Sequence, residues 1–201
     1  TQDEELLDWH FPDKPVFSWR DGEAWEAGGL YKACIIQNDG LWYMFYNAKD
    51  KKERWTEQTG MAWSPDLEHW TRCRENPVLR VNPDSWDERF VSDPCIVKDG
   101  DVWVNFYFGY GRMYEDGHTH AQEGLALSRD LFTWEKVKEP ILTYGKPGAI
   151  DSGHAHKASV LFYNGILYHF YCGTRPAQEG DAAQAYGEYR TICLASQEKV
   201  W

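Results

Sequence analysis

The sequence lacks any run of about eighteen apolar residues, so nothing in it reads as a membrane-spanning helix. It lacks a basic excess: 32 acidic residues face 21 basic ones, for a formal net charge of −11. Such a field repels phosphates, which argues against nucleic acid and anionic membrane surfaces as partners and leaves neutral or cationic ligands open. It lacks paired cysteines. The five present, Cys34, Cys73, Cys95, Cys172 and Cys193, are odd in number and form no C-x-x-C. Neither a disulfide framework nor a cysteine-held zinc follows. Cys34, Cys95, Cys172 and Cys193 each lie in an apolar run, as buried free thiols do. The opening residues Thr1, Gln2, Asp3, Glu4 and Glu5 are no signal peptide and read as the start of a processed product or a fragment. Helical periodicity is lacking as well.

Aromatic residues, by contrast, are abundant, with 11 Trp, 12 Tyr and 9 Phe in 201 residues. Large rings pack well on pleated sheet faces. They also stack on the apolar faces of sugar rings, and composition does not separate the two uses.

Self-similarity is the strongest signal. Gly60-Met-Ala-Trp-Ser-Pro-Asp-Leu-Glu-His-Trp70 and Gly124-Leu-Ala-Leu-Ser-Arg-Asp-Leu-Phe-Thr-Trp134 share the pattern G-x-A-x-S-x-D-L-x-x-W. A degenerate copy runs from Ile192-Cys-Leu-Ala-Ser196 to Trp201, and Trp9, in Leu7-Asp8-Trp9, reads as the tail of another. Pro15, Pro77 and Pro140 each precede two apolar residues, and seventeen positions beyond them stand Lys32, Pro94 and Lys157. An apolar strand starts at each of these points. Asp39-Gly40, Asp99-Gly100 and Asn164-Gly165 then supply hairpin turns. A second strand follows, ending in Phe45-Tyr46, Phe106-Tyr107 or Phe170-Tyr171. The Asp-Leu pairs before Trp70 and Trp134 supply a further turn.

Each unit is thus four short strands, and the anchoring tryptophans delimit repeats of about 9–70, 70–134 and 134–201. Four strands per repeat without helical periodicity predicts an all-β propeller of antiparallel blades, about three of them present, in a single unit over 1–201. A β-sandwich is the alternative, but it does not require such duplication. Three blades do not close a ring, so further blades from a parent chain, or self-association through open edges, are expected.

Ser92-Asp93-Pro94-Cys-Ile-Val-Lys-Asp-Gly100, followed by the W-x-x-F-Y strand at Trp103, resembles the blades of five-bladed glycoside hydrolases. These are the families related to arabinanases and β-xylosidases (family 43), invertases (family 32), neoagarooligosaccharide hydrolases (family 117) and mannoside phosphorylases (family 130). The S-x-D-L-x-x-W ending is also typical of them. The resemblance implies a glycoside hydrolase acting on a poly- or oligosaccharide in a funnel on the propeller axis. It implies no required cofactor. Calcium near the axis occurs in some relatives, though no acidic cluster here resembles a calcium loop. It implies an extracellular or periplasmic setting. A non-catalytic carbohydrate-binding propeller and a glycoside phosphorylase are the alternatives.

In those families the acidic residues come from the starts of the innermost strands. The aligned positions here are Tyr31, Asp93 and His156. Asp93 matches the carboxylate that orients substrate and tunes the acid. Tyr31 stands where a base or nucleophile Asp is expected, and His156 where the acid Glu is expected. A His is proposed as the acid in family 117, so the resemblance assigns proton donation to His156, or else to His154. Asp93 nearby is expected to raise the His156 pKa and hold the ring charged. His154 and His156 share a strand face by spacing, with Lys157 pointing away if the strand is regular. Tyr31, Lys32, Lys157, Arg175 and Trp25 are expected to contact substrate, with an ion pair as the alternative for Arg175. Glu26, Glu88 and Asp151 occupy nearly equivalent places before first strands. Their repetition argues for a structural role, with recruitment of one as an acid or base the alternative. His118 and His120 lie on a loop, as solvated residues or as part of the funnel rim.

Overall fold

The computed structural model describes residues 9–182 and 187–198, with the side chains of 197 and 198 excepted. Leu7-Asp8 and the Trp201 anchor lie outside the described residues. Eleven strands are present among those described. The first blade is β1 (Gly29–Asn38), β2 (Leu41–Lys49), β3 (Glu57–Ser64) and β4 (Thr71–Arg72). The second is β5 (Phe90–Asp99), β6 (Val102–Tyr110), β7 (Gln122–Ser128) and β8 (Glu135–Lys136). The third is β9 (His154–Tyr163), β10 (Ile166–Pro176) and β11 (Glu188–Glu198). Within each blade neighbouring strands run antiparallel in chain order, and a single parallel pairing, Glu57 with Phe90, joins the first two. The architecture is all-β, consistent with part of a propeller. The helical element Trp19–Asp21 is a single 3-10 turn, and no helix among the described residues is long and apolar enough to cross a membrane.

The turns show why these sequences make these strands. Asp39 and Gly40 have φ of 50° and 79°, and Asn164 and Gly165 have 50° and 80°, the left-handed pair that closes a two-residue hairpin. In the second blade Asp99 still pairs with Val102, so the turn is Gly100-Asp101, one residue later than the sequence pattern places it. The S-x-D-L-x-x-W motif is a self-capped turn. Ser64 Oγ accepts from the Asp66 and Leu67 N–H groups, the Asp66 carboxylate accepts from Glu68 and His69, and Trp70 Nε1 donates to Leu67 O. Ser128, Asp130, Leu131 and Trp134 repeat these contacts.

Register corrects the third copy of that motif. Tyr46 pairs with Gly60 and Tyr107 with Gly124, because a Cβ on either glycine would meet the tyrosine ring at 2.5 or 2.3 Å. In the third blade Tyr171 pairs with Cys193, one residue beyond the position the sequence alignment gives. The glycine has moved across the ladder: a Cβ on Gly173 would meet Cys193 Sγ at 2.5 Å.

The acidic residues before each first strand are a repeated anchor. Tyr46 Oη donates to Glu26, Tyr107 to Asp87 and Tyr171 to Asp151. Arg72 and Lys136, at matching places in β4 and β8, complete the first two. The second-blade member is therefore Asp87 and not Glu88, which pairs with Arg54 at 3.6 Å. Trp25 stacks on Tyr46 as Trp86 does on Tyr107, with ring centroids 6.1 and 5.9 Å apart. Between the first two blades, Tyr43, Phe45 and Met61 pack against Ile96, Trp103 and Leu131. Each such buried side chain stabilises the fold by about 1.5–3 kcal/mol. All five cysteines are free thiols. Only Cys73, outside the apolar runs, is fully buried; the other four are half-buried.

Candidate functional site

The first strand of every blade is irregular at one place. The β1–β2 ladder shifts between Tyr31 and Ala33, the β5–β6 ladder between Ser92 and Cys95, and the β9–β10 ladder at Lys157-Ala158. Such bulges re-aim side chains. Tyr31 pairs with Asn47, Ser92 with Phe108 and His156 with Cys172, which makes these three equivalent. Asp93 is therefore level with Lys32 and Lys157, one step from the position that seventeen-residue spacing assigns to it. Asp93 and Lys157 share the same unusual backbone, with φ of 51° and 66°. Non-glycine residues hold such conformations only where their surroundings impose them.

Those surroundings are visible. Asp93 is buried, and its Oδ1 accepts from Asn47 Nδ2 at 2.6 Å while its N–H donates to Asn47 Oδ1 at 2.7 Å. Lys157 Nζ lies 3.5 Å from Asp93 Oδ2. The bulge turns Lys157 toward Asp93, where a regular strand would have aimed it away. The neighbouring Ser92 Oγ donates to Glu57, itself held by Trp55 Nε1. Pro94 has no N–H to offer the ladder, and the next amide, Cys95, donates to Asn105 Oδ1.

The two candidate histidines sit beside this carboxylate in a different state from the one expected. His156 is buried against Phe108, 5.3 Å between ring centroids, and its Nδ1 has no partner. Burial pushes its pKa down to about 3. His154, Lys157 and Arg190 add to the depression, and Asp93, the weakest of these influences, opposes it. The expectation of a charged His156 is corrected: desolvation outweighs one carboxylate. His154 Nδ1 accepts from the Ala121 N–H, so Nε2 carries its proton and faces Glu188 Oε1 at 3.3 Å. Its pKa is also lowered, chiefly by burial.

Other candidates are distributed differently. Tyr31 and Lys32 are exposed at the same irregularity in the first blade. Arg175 is taken up by Asp181 in a two-pronged ion pair at 2.7 and 3.0 Å, the alternative considered for it. Trp25 belongs to the anchor beneath β2. His120 is buried: Nδ1 donates to Gly153 O, Nε2 faces Asp116, and the ring stacks on Tyr144 at 3.7 Å. His118 stays on the exposed loop.

Two polar residues at the site escaped sequence reasoning. Asn47 is one; its signal was a lone amide near the end of a largely apolar strand, where the other blades carry Phe108 and Cys172. Glu123 is the other, a wholly buried carboxyl group preceding the motif glycine. Among the described residues no three His, Cys, Asp or Glu side chains converge as a metal-binding group.

No family model matches the chain. It is 29% identical over 129 residues to a 1,2-β-oligomannan phosphorylase of Thermoanaerobacter sp., covering 62% of this chain and 42% of that protein. Among solved structures it is 29% identical to a glycoside hydrolase, with a TM-score of 0.71 over 92% of this chain and 51% of the other. It is also 29% identical to the protein in a BT0996 RGII complex, with a TM-score of 0.73 over 96% and 53%. The chain thus spans about half the length of the proteins it matches. Family 32, 117 and 130 structures share the fold at 19%, 14% and 21% identity. The repeated blades, their order and these likenesses make glycoside hydrolases of the five-bladed β-propeller type the structural neighbours of this chain.

Proposed function

We propose that this chain carries part of the sugar-cleaving site of a glycoside hydrolase, in a funnel where the first strands of its blades begin. The observation that carries this reading is Asp93: a buried carboxylate on a left-handed bulge, fixed by Asn47 and flanked by Lys157. Strain of this kind clusters at binding and catalytic sites. Asp93 would grip sugar hydroxyls and orient the glycosidic bond. Tyr31 and the lysines at positions 32 and 157 would line the approach.

Neutral His156 and His154 do not suit the imidazolium donor role that the family 117 likeness suggested. An uncharged His156, with its unpartnered Nδ1, instead suits accepting a proton or a sugar hydroxyl hydrogen. Hydrolysis needs two titratable groups flanking the bond. The second would come from another blade. Release of reducing ends from an oligosaccharide panel tests the reading, and sugar binding without release would favour a non-catalytic propeller.

Phosphorolysis is the second reading. Lys157 beside Asp93, the exposed Lys32 and the likeness to an oligomannan phosphorylase favour it, since clustered cations suit a phosphate nucleophile. Turnover that requires inorganic phosphate and yields a sugar 1-phosphate would select it over hydrolysis.

A further blade is proposed as the partner of the third. Ile192 and Leu194 on β11 are 81% and 52% exposed, whereas their register equivalents in the first blade, Thr59 and Met61, are fully buried against the second. Replacing both by serine should reduce self-association of the chain in size-exclusion chromatography.

A further inference from the structure

Ladder register makes Thr59, Glu123 and Ile192 equivalent, since they pair with Asn47, Phe108 and Cys172. In the first blade this position ties one blade to the next: Thr59 Oγ1 donates to Val91 O of β5 at 3.0 Å. In the second blade the threonine is replaced by Glu123, whose longer side chain is completely buried. Neither carboxyl oxygen makes a hydrogen bond. An unpartnered carboxylate at full burial is among the costliest groups a protein can hold, and such a group keeps its proton instead.

The charges acting on Glu123 explain which way the proton goes. Burial raises its pKa well above the ordinary range, and Asp93 raises it further. Lys32 and the Ala158 backbone N–H oppose this, both more weakly than burial. Cys95 and Tyr107 also sense Glu123, and both are themselves pushed up chiefly by burial. His156, uncharged, and Lys157 stand on the β9 side, the lysine at Asp93. Asp93 has an Asn47 amide and an ammonium to stabilise an anion; Glu123 has neither contact.

We propose that Glu123 is a positioning residue for Asp93: the two carboxyl groups share one negative charge, which rests on Asp93 because Glu123 retains the proton. The inference rests on the reading of Asp93 as the site carboxylate. It gives the site a buried acid that fixes the charge of Asp93 without touching substrate. Two ionised carboxylates there would repel each other across a water-poor interior, and the proton on Glu123 prevents this.

The test is a carboxyl ¹³C NMR titration of the chain labelled at its Glu and Asp side chains, with the Glu123 resonance identified by its loss in Glu123→Gln. Should that variant fail to fold, Glu123→Thr, which installs the first blade's own residue, serves the same purpose. The expected result is a Glu123 carbon still protonated at pH 7 while the exposed glutamates have ionised. In Asp93→Asn its proton affinity should then fall at least tenfold. A Glu123 carbon that titrates with the exposed glutamates, or that is unmoved by Asp93→Asn, overturns the proposal. Unchanged sugar turnover in Asp93→Asn would instead remove the functional reading of Asp93, and the carboxyl coupling would still be read independently.

Discussion

Asn47 and Asp93 stand 46 positions apart, on neighbouring blades, and exchange two buried hydrogen bonds, one through the aspartate's carboxylate and one through its own backbone N–H. One amide thereby fixes both the charge and the strained backbone of the residue on which the site depends. Asn47→Ala leaves the Asp93 N–H buried without a partner and its carboxylate with Lys157 alone. The expected cost is about 3 kcal/mol of folding stability, from two bonds of which one is charge-assisted. Denaturant unfolding measures it, and Asn47→Asp should be worse than alanine because it sets like charges together.

A second prediction separates structural acids from functional ones. Glu26 is completely buried, accepts from Tyr46 and pairs with Arg72 at 2.8 Å. Removing one partner of such a pair costs about 3–5 kcal/mol. Glu26→Ala should therefore destabilise strongly. Glu88→Ala should change stability by less than about 0.5 kcal/mol, because its partner Arg54 is largely exposed. Parallel thermal melts decide it; equal effects would contradict the anchor assignment.

These acids also show where sequence reading reached its limit. Repetition was legible: the glycines of the G-x-A-x-S motif, the Asp39-Gly40 and Asn164-Gly165 turns and the four-strand unit are local, and local chemistry dictates them. Asp93 drew attention because its place in the blade matches the carboxylate of the families the sequence resembles. Its true level, beside Lys32 and Lys157, was not legible, since a bulge adds a residue to one strand without leaving any mark on the spacing. Asn47 and Glu123 owe their meaning to a neighbouring blade, which no pattern within one repeat encodes. The charge state of His156 depended on burial, and the expectation that Asp93 would hold the ring charged had the wrong sign.

Buried histidines predict an acid sensitivity. Burial pushes His169 down to about 4 and His156 to about 3, against about 6.5 when unfolded. As pH falls below 6.5 the unfolded chain takes up protons that the folded chain refuses, so stability is full above that pH and declines toward pH 4. His169→Met, the residue the first blade carries at Met44 in the same register, removes one such group. Its melting temperature should exceed that of the unaltered chain by about 2–4 °C more at pH 5 than at pH 8. An offset independent of pH would contradict the neutral state of this ring.

Glycosidic cleavage by the unaltered protein and by Asp93→Asn, followed as reducing ends and as sugar 1-phosphate, puts the Asp93 site to trial most directly. Asparagine can still accept from Asn47, so the melting temperature should move by only a few degrees. The expected result is a loss of turnover of at least about a hundredfold, the scale on which positioned charge acts in catalysis. A variant that folds, binds sugar and cleaves at the full rate would contradict the account.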